Sequence, residues 1–203
     1  MTGNISPTGE SVPRRRRADA QRNIDSLLDA AKTVFGSSGV DAPAKEITDL
    51  AGVGVGTLYR HFPQRSDLVK AVFRHEVDAC ADAAGPLAAE HEPGTALEKW
   101  LHRYTQFIAA KRGLASALHS GDPAFDELPD YFMARLGPAL DSLLNAAADD
   151  GEVRADIGSR DLLNAVASLC MTDADEPAAY SQRMIGVIID GLRYGAAANQ
   201  SRS

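Results

Sequence analysis

The sequence predicts an all-α protein of roughly nine helices. Apolar residues recur at spacings of three and four in one stretch after another, the period of a helix face. β-branched residues nowhere alternate with polar ones over the length of a strand. Glycine and proline fall between the periodic stretches, where helices must stop and start. The 203 residues are 44% hydrophobic and 24% charged, an ordinary globular composition that suffices for one large domain or a small one joined to a larger one.

The elements follow in order. Residues 1–17 carry Gly, Pro and Ser and then Arg14–Arg17, with nothing to bury, so a disordered basic arm is expected. From Gln21, one helix face is marked by Ile24, Leu27, Leu28, Ala31, Val34 and Phe35, and Gly36 and Gly39 end it. Pro43 suits the first turn of a short helix whose buried face is Ile47 and Leu50. A third segment runs from Gly54 to Phe62 and is stopped by Pro63. Ser66 is expected to cap a long helix holding Leu68, Val72, Phe73 and Val77.

After Gly85-Pro86 the pattern restarts with the stripe Leu97, Trp100, Leu101, Tyr104, Phe107 and Ile108. Residues 113–120 read as one or two helical turns. Asp122-Pro123 opens another helix, bearing Phe132, Leu136, Leu140, Leu143 and Leu144, with a kink expected at Pro138. Two helices remain, one marked by Leu162, Leu163, Val166, Leu169 and Cys170, the other by Ile185, Ile188, Ile189 and Leu192, with the acidic loop TDADEPAAYS between them.

Charge is distributed unevenly. The net charge is −7, yet residues 1–70 hold ten Lys and Arg against eight Asp and Glu, while the rest holds 11 against 20. A small head for a polyanion and a body with another task are expected. Cys80 and Cys170 both lie in apolar helical patterns and read as buried thiols of a reducing cytosol. No apolar run approaches a membrane span and the N-terminus has no secretory core, so a cytoplasmic protein without a membrane partner is expected.

The stretch AGVGVGTLYRHF, residues 51–62, has three glycines in five positions. A dinucleotide fingerprint needs G-x-G-x-x-G between a strand and a long helix. Here the spacing is G-x-G-x-G, the preceding KEITDLA is helical, and no Lys-Ser/Thr pair follows, so a phosphate loop is disfavoured. The other reading is a helix-turn-helix over about residues 43–62. Gly52 then takes the left-handed turn position, Ala51 and Val53 let two helices cross closely, and Gly54 is a weak N-cap. Gly56, near the start of the second helix, leaves room for a backbone or base edge to approach. Leu58 and Phe62 should pack inward against Ile47 and Phe35, leaving Thr57, Tyr59, Arg60 and His61 outside.

A long first helix followed by AKEITDLAGVGVGTLYRHFPQRSDLVKAV resembles the DNA-binding head of the tetracycline-repressor (TetR) family over about residues 21–72. The match is strongest at Ala51-Gly52-Val53, Gly56-Thr57-Leu58-Tyr59, His61-Phe62 and Arg65-Ser66-Asp67-Leu68. The family's usual Ser is Gly54 here, which loosens the cap, and its usual Lys is Arg65, which keeps the charge. The resemblance implies a three-helix helix-turn-helix head, residues 18–65, joined to a larger helical effector-binding and dimerisation domain, residues 66–203. It implies contacts from Thr57, Tyr59 and His61 to phosphates or base edges of a double-stranded operator. Arg60 stands at a position suited to pairing with guanine, although a solvated Arg looks the same in sequence. Lys45 and Arg65, by their places at helix starts, are expected to reach phosphates. Arg16 and Arg17 of the arm either enter the minor groove or add only non-specific attraction.

One recognition helix reads few base pairs, and a two-fold dimer reads two half-sites about 34–36 Å apart. The resemblance places the dimer on the last two helices, so Leu162, Val166, Leu169, Ile185, Ile188, Ile189 and Leu192 are the candidate interface; the alternative is that they are monomer core. Gly191 and Gly195 would allow close approach. An apolar effector pocket is expected among the middle helices, lined by Trp100, Tyr104, Phe107, Phe132 and Met133, with His102 or Arg103 either as polar groups or facing water.

The resemblance therefore implies a ligand-responsive regulator, a repressor released by a small apolar effector, and an activator would carry the same head. An enzyme is the remaining alternative. Its best cluster is His119, Asp122, Asp126 and Glu127, but this straddles Gly121 and Pro123, and Asp122-Pro123 is explained as a helix start. No catalytic residue, metal or cofactor is expected.

Overall fold

The computed structural model describes residues 11–171 and 177–200, with side chains from 20 to 171 and from 178 to 194. The described chain is helical and contains no strand. Its order is α1 (Ser11–Ser38), α2 (Ala44–Ala51), α3 (Val55–His61), α4 (Arg65–Asp82), α5 (Ala84–Glu90), α6 (Pro93–Arg112) and α7 (Ala115–Leu118), then a 3-10 turn (Pro123–Phe125), α8 (Leu128–Asp149), α9 (Ser159–Cys170) and α10 (Pro177–Gln200). The extra helix beyond expectation is α5, because Pro86 sits in its first turn, where proline is tolerated.

Several expected boundaries move for identifiable reasons. The disordered arm does not extend to residue 17: α1 begins at Ser11 and runs through Arg14–Arg17, since Arg, Ala and Gln are good helix formers and Pro13 falls in the first turn. The rest of that arm, residues 1–10, lies outside the described residues. Gly36 is inside α1, and Gly39, at φ 79°, is the residue that ends it. Ser66 is not the cap of α4. Gln64 is, and its backbone N–H donates to the Asp67 carboxylate at 3.1 Å, one half of a capping box. Asp122 does cap, accepting from the Ala124 N–H at 2.9 Å, but it opens only the 3-10 turn, and α8 starts five residues past Pro123. The acidic residues 172–176 of the expected loop lie outside the described residues.

Helices α1, α2 and α3 form the head, with α1 packed on α2 and on α4. Helix α4 leaves the head and lies along α8 and α6, and α9 and α10 close the far side against α6 and α8. One continuous core runs from Leu27, Phe35 and Ile47 through Val72 and Val77 to Trp100, Leu101, Leu136 and Leu163. Its two largest buried polar side chains are satisfied: Trp100 Nε1 donates to the Cys80 carbonyl at 2.9 Å, and the Tyr104 hydroxyl donates to the Leu163 carbonyl at 3.2 Å. Burial pushes the Cys80 thiol up to about 12. Both cysteines are free and buried.

The α4–α8 contact is tied by charge as well as packing. The Tyr131 hydroxyl donates to Asp78 at 2.7 Å, and Arg135 bridges to Asp78 at 2.6 Å and Asp82 at 2.8 Å. Arg74 pairs with Glu127 at 2.8 Å and lies over the Tyr131 ring. On the head side, Lys32 of α1 pairs with the buried Glu76 of α4 at 2.7 Å. Helix α4 is thus coupled to both the head and the body.

Candidate nucleic-acid interface and effector cavity

The turn between α2 and α3 is built as the glycines require. Gly52 has φ 68°, ψ 29°, the left-handed region that a side chain resists. Its N–H donates to the Asp49 carbonyl and the Val53 N–H to the Thr48 carbonyl, the paired bonds of a Schellman motif. Gly54 is the N-cap of α3, extended at φ −77° and without a side-chain bond, while its carbonyl accepts from Thr57 N–H at 2.8 Å.

Burial orients α3. Leu58 and Phe62 are buried with Ile47 and Phe35 in the core, as their four-residue spacing requires. The opposite face is open. Tyr59 is 54% exposed, Arg60 and His61 are exposed, and Thr57 is half-buried. A Cβ on Gly56 would meet nothing within 4 Å, so this end of α3 offers bare backbone. Lys45 lies exposed at the start of α2, held only by an i,i+4 pair with Asp49 at 2.6 Å. Lys45 of α2 and Gly56, Tyr59, Arg60 and His61 of α3 are therefore open to solvent, with Thr57 partly so. Leu50 is open too: it is 57% exposed, and Thr48 takes the buried place expected of it.

Arg65 departs from expectation. Its guanidinium does not face the exposed side of α3. Nε and Nη2 donate to the carbonyls of Val40 and Ala42, and the guanidinium lies over the Phe35 ring with its carbon 5.0 Å from the centroid. The side chain ties the α1–α2 loop to the first turn of α4, and desolvation lowers its pKa. A planar fork suits two carbonyls and a ring face better than a point charge would. The guanidinium expected to reach a phosphate is thus engaged within the fold through Nε and Nη2. Arg16 and Arg17 lie within α1, and their side chains are outside the described residues.

The body contains a cavity of about 430 Å³ between α4, α6, α7, α8 and α9. Tyr104, Phe107, Phe132 and Met133 line it as expected. Trp100 does not: it is fully buried behind Tyr104, on whose ring it stacks at 5.9 Å. The polar lining is Lys111, His119, Arg160 and Asn164. Lys111 was legible in principle, because it continues the stripe through Tyr104, Phe107 and Ile108 by one more step of three. Arg160 and Asn164 on α9 carry no such signal. His102 lines a second cavity between α6, α9 and α10, and Arg103 is exposed beside Gln106.

The remaining acid cluster is dispersed. His119 Nδ1 lies 2.8 Å from the Ala115 carbonyl, Asp122 caps the 3-10 turn, and Glu127 pairs with Arg74. Among the described residues, the group of potential metal ligands that does converge is Asp29, His75 and Glu76, where Lys32 already occupies Glu76.

Most of the expected dimer residues are covered within the protomer. Leu162, Val166, Ile185, Ile189 and Leu192 are buried within the protomer, where α9 and α10 pack on the rest of the body, and Leu169 and Ile188 are half-buried. The outer face of α10 instead presents Val187, 64% exposed, Gly191, and Tyr194, 80% exposed. These fall at steps of four and three along one side of the helix.

The head and the cavity helix approach each other closely at Gly113. Gly113 ends α6 two residues after Lys111, and a Cβ there would lie 2.9 Å from Phe35 and Gly36 backbone atoms of α1. The end of the cavity helix therefore rests directly on the head.

Known proteins match both parts. Residues 27–72 match the model of bacterial regulatory proteins of the tetR family, and residues 92–194 match the SbtR-like transcriptional regulator C-terminal domain. A TetR transcriptional regulator from Streptomyces coelicolor is 37% identical, with a TM-score of 0.71 over 83% of this chain and 97% of that one. A TetR regulatory protein from Mycobacterium vanbaalenii is 36% identical, with a TM-score of 0.68 over 87% of this chain and 98% of that one. An HTH-type transcriptional regulator from Staphylococcus aureus is 38% identical over 72 residues, 34% of this chain and 37% of the relative. The chain thus spans about a third of the length of the curated relatives it matches. No described helix is long and apolar enough to cross a membrane. With both of its parts matched and most of its length shared with solved members, this chain belongs to the TetR family of transcriptional regulators.

Proposed function

We propose that this chain is a ligand-responsive transcriptional repressor that binds a palindromic operator as a homodimer and releases it when a small, largely apolar effector enters the body. Residues 18–65 act as the DNA-binding head and residues 66–203 as the effector-binding and dimerisation domain. The observation that carries this reading is the outward face of α3. Buried Leu58 and Phe62 turn Tyr59, Arg60 and His61 to solvent beside bare Gly56, on a helix short enough to enter a major groove. Lys45, Thr57, Tyr59 and His61 then hold phosphates or base edges, and Arg60 reads a base. The cavity beside α4 and α6 supports an effector site of ordinary size for a small ligand.

The exposed Val187, Gly191 and Tyr194 on α10 support a second copy docking there, which places two heads on one duplex. A repressor of this kind acts on DNA in the cytoplasm. An effector that favours the protomer arrangement with misplaced heads weakens operator binding by the ratio of its two affinities. Selection by the full chain from random duplexes tests the reading: a palindromic site is expected, and no enrichment overturns it.

A further inference from the structure

We propose that the ligand of the α4–α6–α8–α9 cavity is an amphipathic anion, an apolar body carrying one carboxylate-type acid group, with the acid held by Lys111 and Arg160 and the body by Phe107 and Phe132. The proposal rests on the reading of this cavity as the effector site and adds the chemical class of the ligand.

The lining carries the argument. In a chain of net charge −7, this cavity has Lys111, Arg160 and His119 in its wall and no Asp or Glu among the described lining residues. Neither Lys111 nor Arg160 has an ion-pair or hydrogen-bond partner among the described residues, whereas Arg74, Arg135, Arg154 and Arg193 all have carboxylate partners. Lys111 is half-buried, and desolvation lowers its pKa with no neighbouring carboxylate to offset it. An ammonium drawn into an apolar wall without a counter-charge is costly, and an anion in the cavity removes that cost.

His119 adds a directed group. Its Nδ1 lies 2.8 Å from the Ala115 carbonyl, which only accepts, so Nδ1 carries a proton, and Nε2 donates to an acid group only in the doubly protonated ring. The same wall carries aromatic side chains, with Tyr104, Phe107 and Phe132 rings clustered at centroid distances of 5.8 to 6.2 Å, and Lys111 follows Phe107 by one turn of α6. Two positive groups on a largely apolar wall match a ligand that is acidic at one point and apolar elsewhere. A neutral ligand would leave Lys111 uncompensated, and a cationic one would meet like charge.

Trp100 is the chain's single tryptophan and stacks on Tyr104 of the wall, so intrinsic fluorescence of the full chain reports the cavity. The probes are decanoate, decanol and decylamine, and phenylbutyrate, phenylbutanol and phenylbutylamine, two apolar bodies each with three heads. In at least one series the acid should bind about tenfold or more tightly than its alcohol and amine, the scale of one charge-assisted contact. Lys111→Met should abolish that preference and raise the melting temperature of the ligand-free protein, and Arg160→Gln should reduce the preference. The proposal is overturned if the alcohol or amine matches the acid in both series, if no probe binds at millimolar concentration, or if Lys111→Met keeps the preference. Duplex binding is read separately. Absence of acid preference with an enriched operator overturns the ligand class alone, and acid preference with no enriched duplex overturns the regulator reading alone.

Discussion

Replacing Arg65 separates two roles that a cation next to a recognition helix can have. Its guanidinium donates to the carbonyls of Val40 and Ala42 and covers the Phe35 ring, so Arg65→Gln removes two charge-assisted bonds and one cation–π contact. At about 1.5 kcal/mol for each bond and about 0.5 for the ring contact, the gross loss is about 3.5 kcal/mol. Arg65 is only half-buried, and water can replace part of this, which leaves about 2–3 kcal/mol. For a domain of this size that lowers the melting temperature by about 4–12 °C. Arg65→Lys should lose most of the same stability, because an ammonium cannot fork to two carbonyls and lie flat on a ring. Operator affinity measured against salt supplies the second axis. Removing one phosphate-neutralising cation from each protomer of a dimer changes the log–log slope by about 1.8, and Lys45→Gln should do this. Arg65→Gln should keep the slope when measured well below its melting temperature. An unchanged melting temperature with a slope change of that size would refute the internal role and restore the phosphate contact.

Three further outcomes follow from the same geometry. Gly113→Ala puts a Cβ 2.9 Å from backbone atoms of Phe35 and Gly36, which cannot swing away as a side-chain tip would; stability should fall by about 1–3 kcal/mol with a change in operator affinity, and two unchanged titrations would show that head and cavity helix separate freely. Gly56→Leu begins from a Cβ with nothing within 4 Å, so melting should hold or rise slightly while operator binding is lost, and retained affinity would show that this glycine does not face DNA. Val187→Arg combined with Tyr194→Glu alters only exposed positions of α10 and should turn the dimer into a folded monomer in sedimentation; a persisting dimer would place the interface elsewhere.

The helix-turn-helix was legible because its constraints are local. Gly52 needs positive φ at a fixed point in the chain, and Leu58 and Phe62 share a face by spacing alone, so the outer positions of Tyr59, Arg60 and His61 follow. The stripe from Leu97 to Ile108 was legible for the same reason and is buried throughout. What periodicity does not say is which body covers an apolar face. Leu162, Val166 and Ile185 read equally well as interface or interior, and the packing of α9 and α10 onto α6 and α8 makes them interior. The large apolar positions that α10 leaves exposed are Val187 and Tyr194, residues that the stripe itself excludes, and the proposed dimer uses them.

The sequence by itself determined an all-α chain, the helix-turn-helix and its outward face, and the family whose head it resembles. These depend on backbone preference and on periods of a few residues. The tertiary structure alone decided the partners of long side chains. Arg65 reaches back to Val40 and Ala42, Trp100 reaches Cys80 and so leaves the cavity wall, and Lys111 and Arg160 come from helices far apart in sequence to line one cavity. A flexible side chain spans several ångströms in any direction, and only the packed positions of α1, α4, α6 and α9 fix which direction it takes.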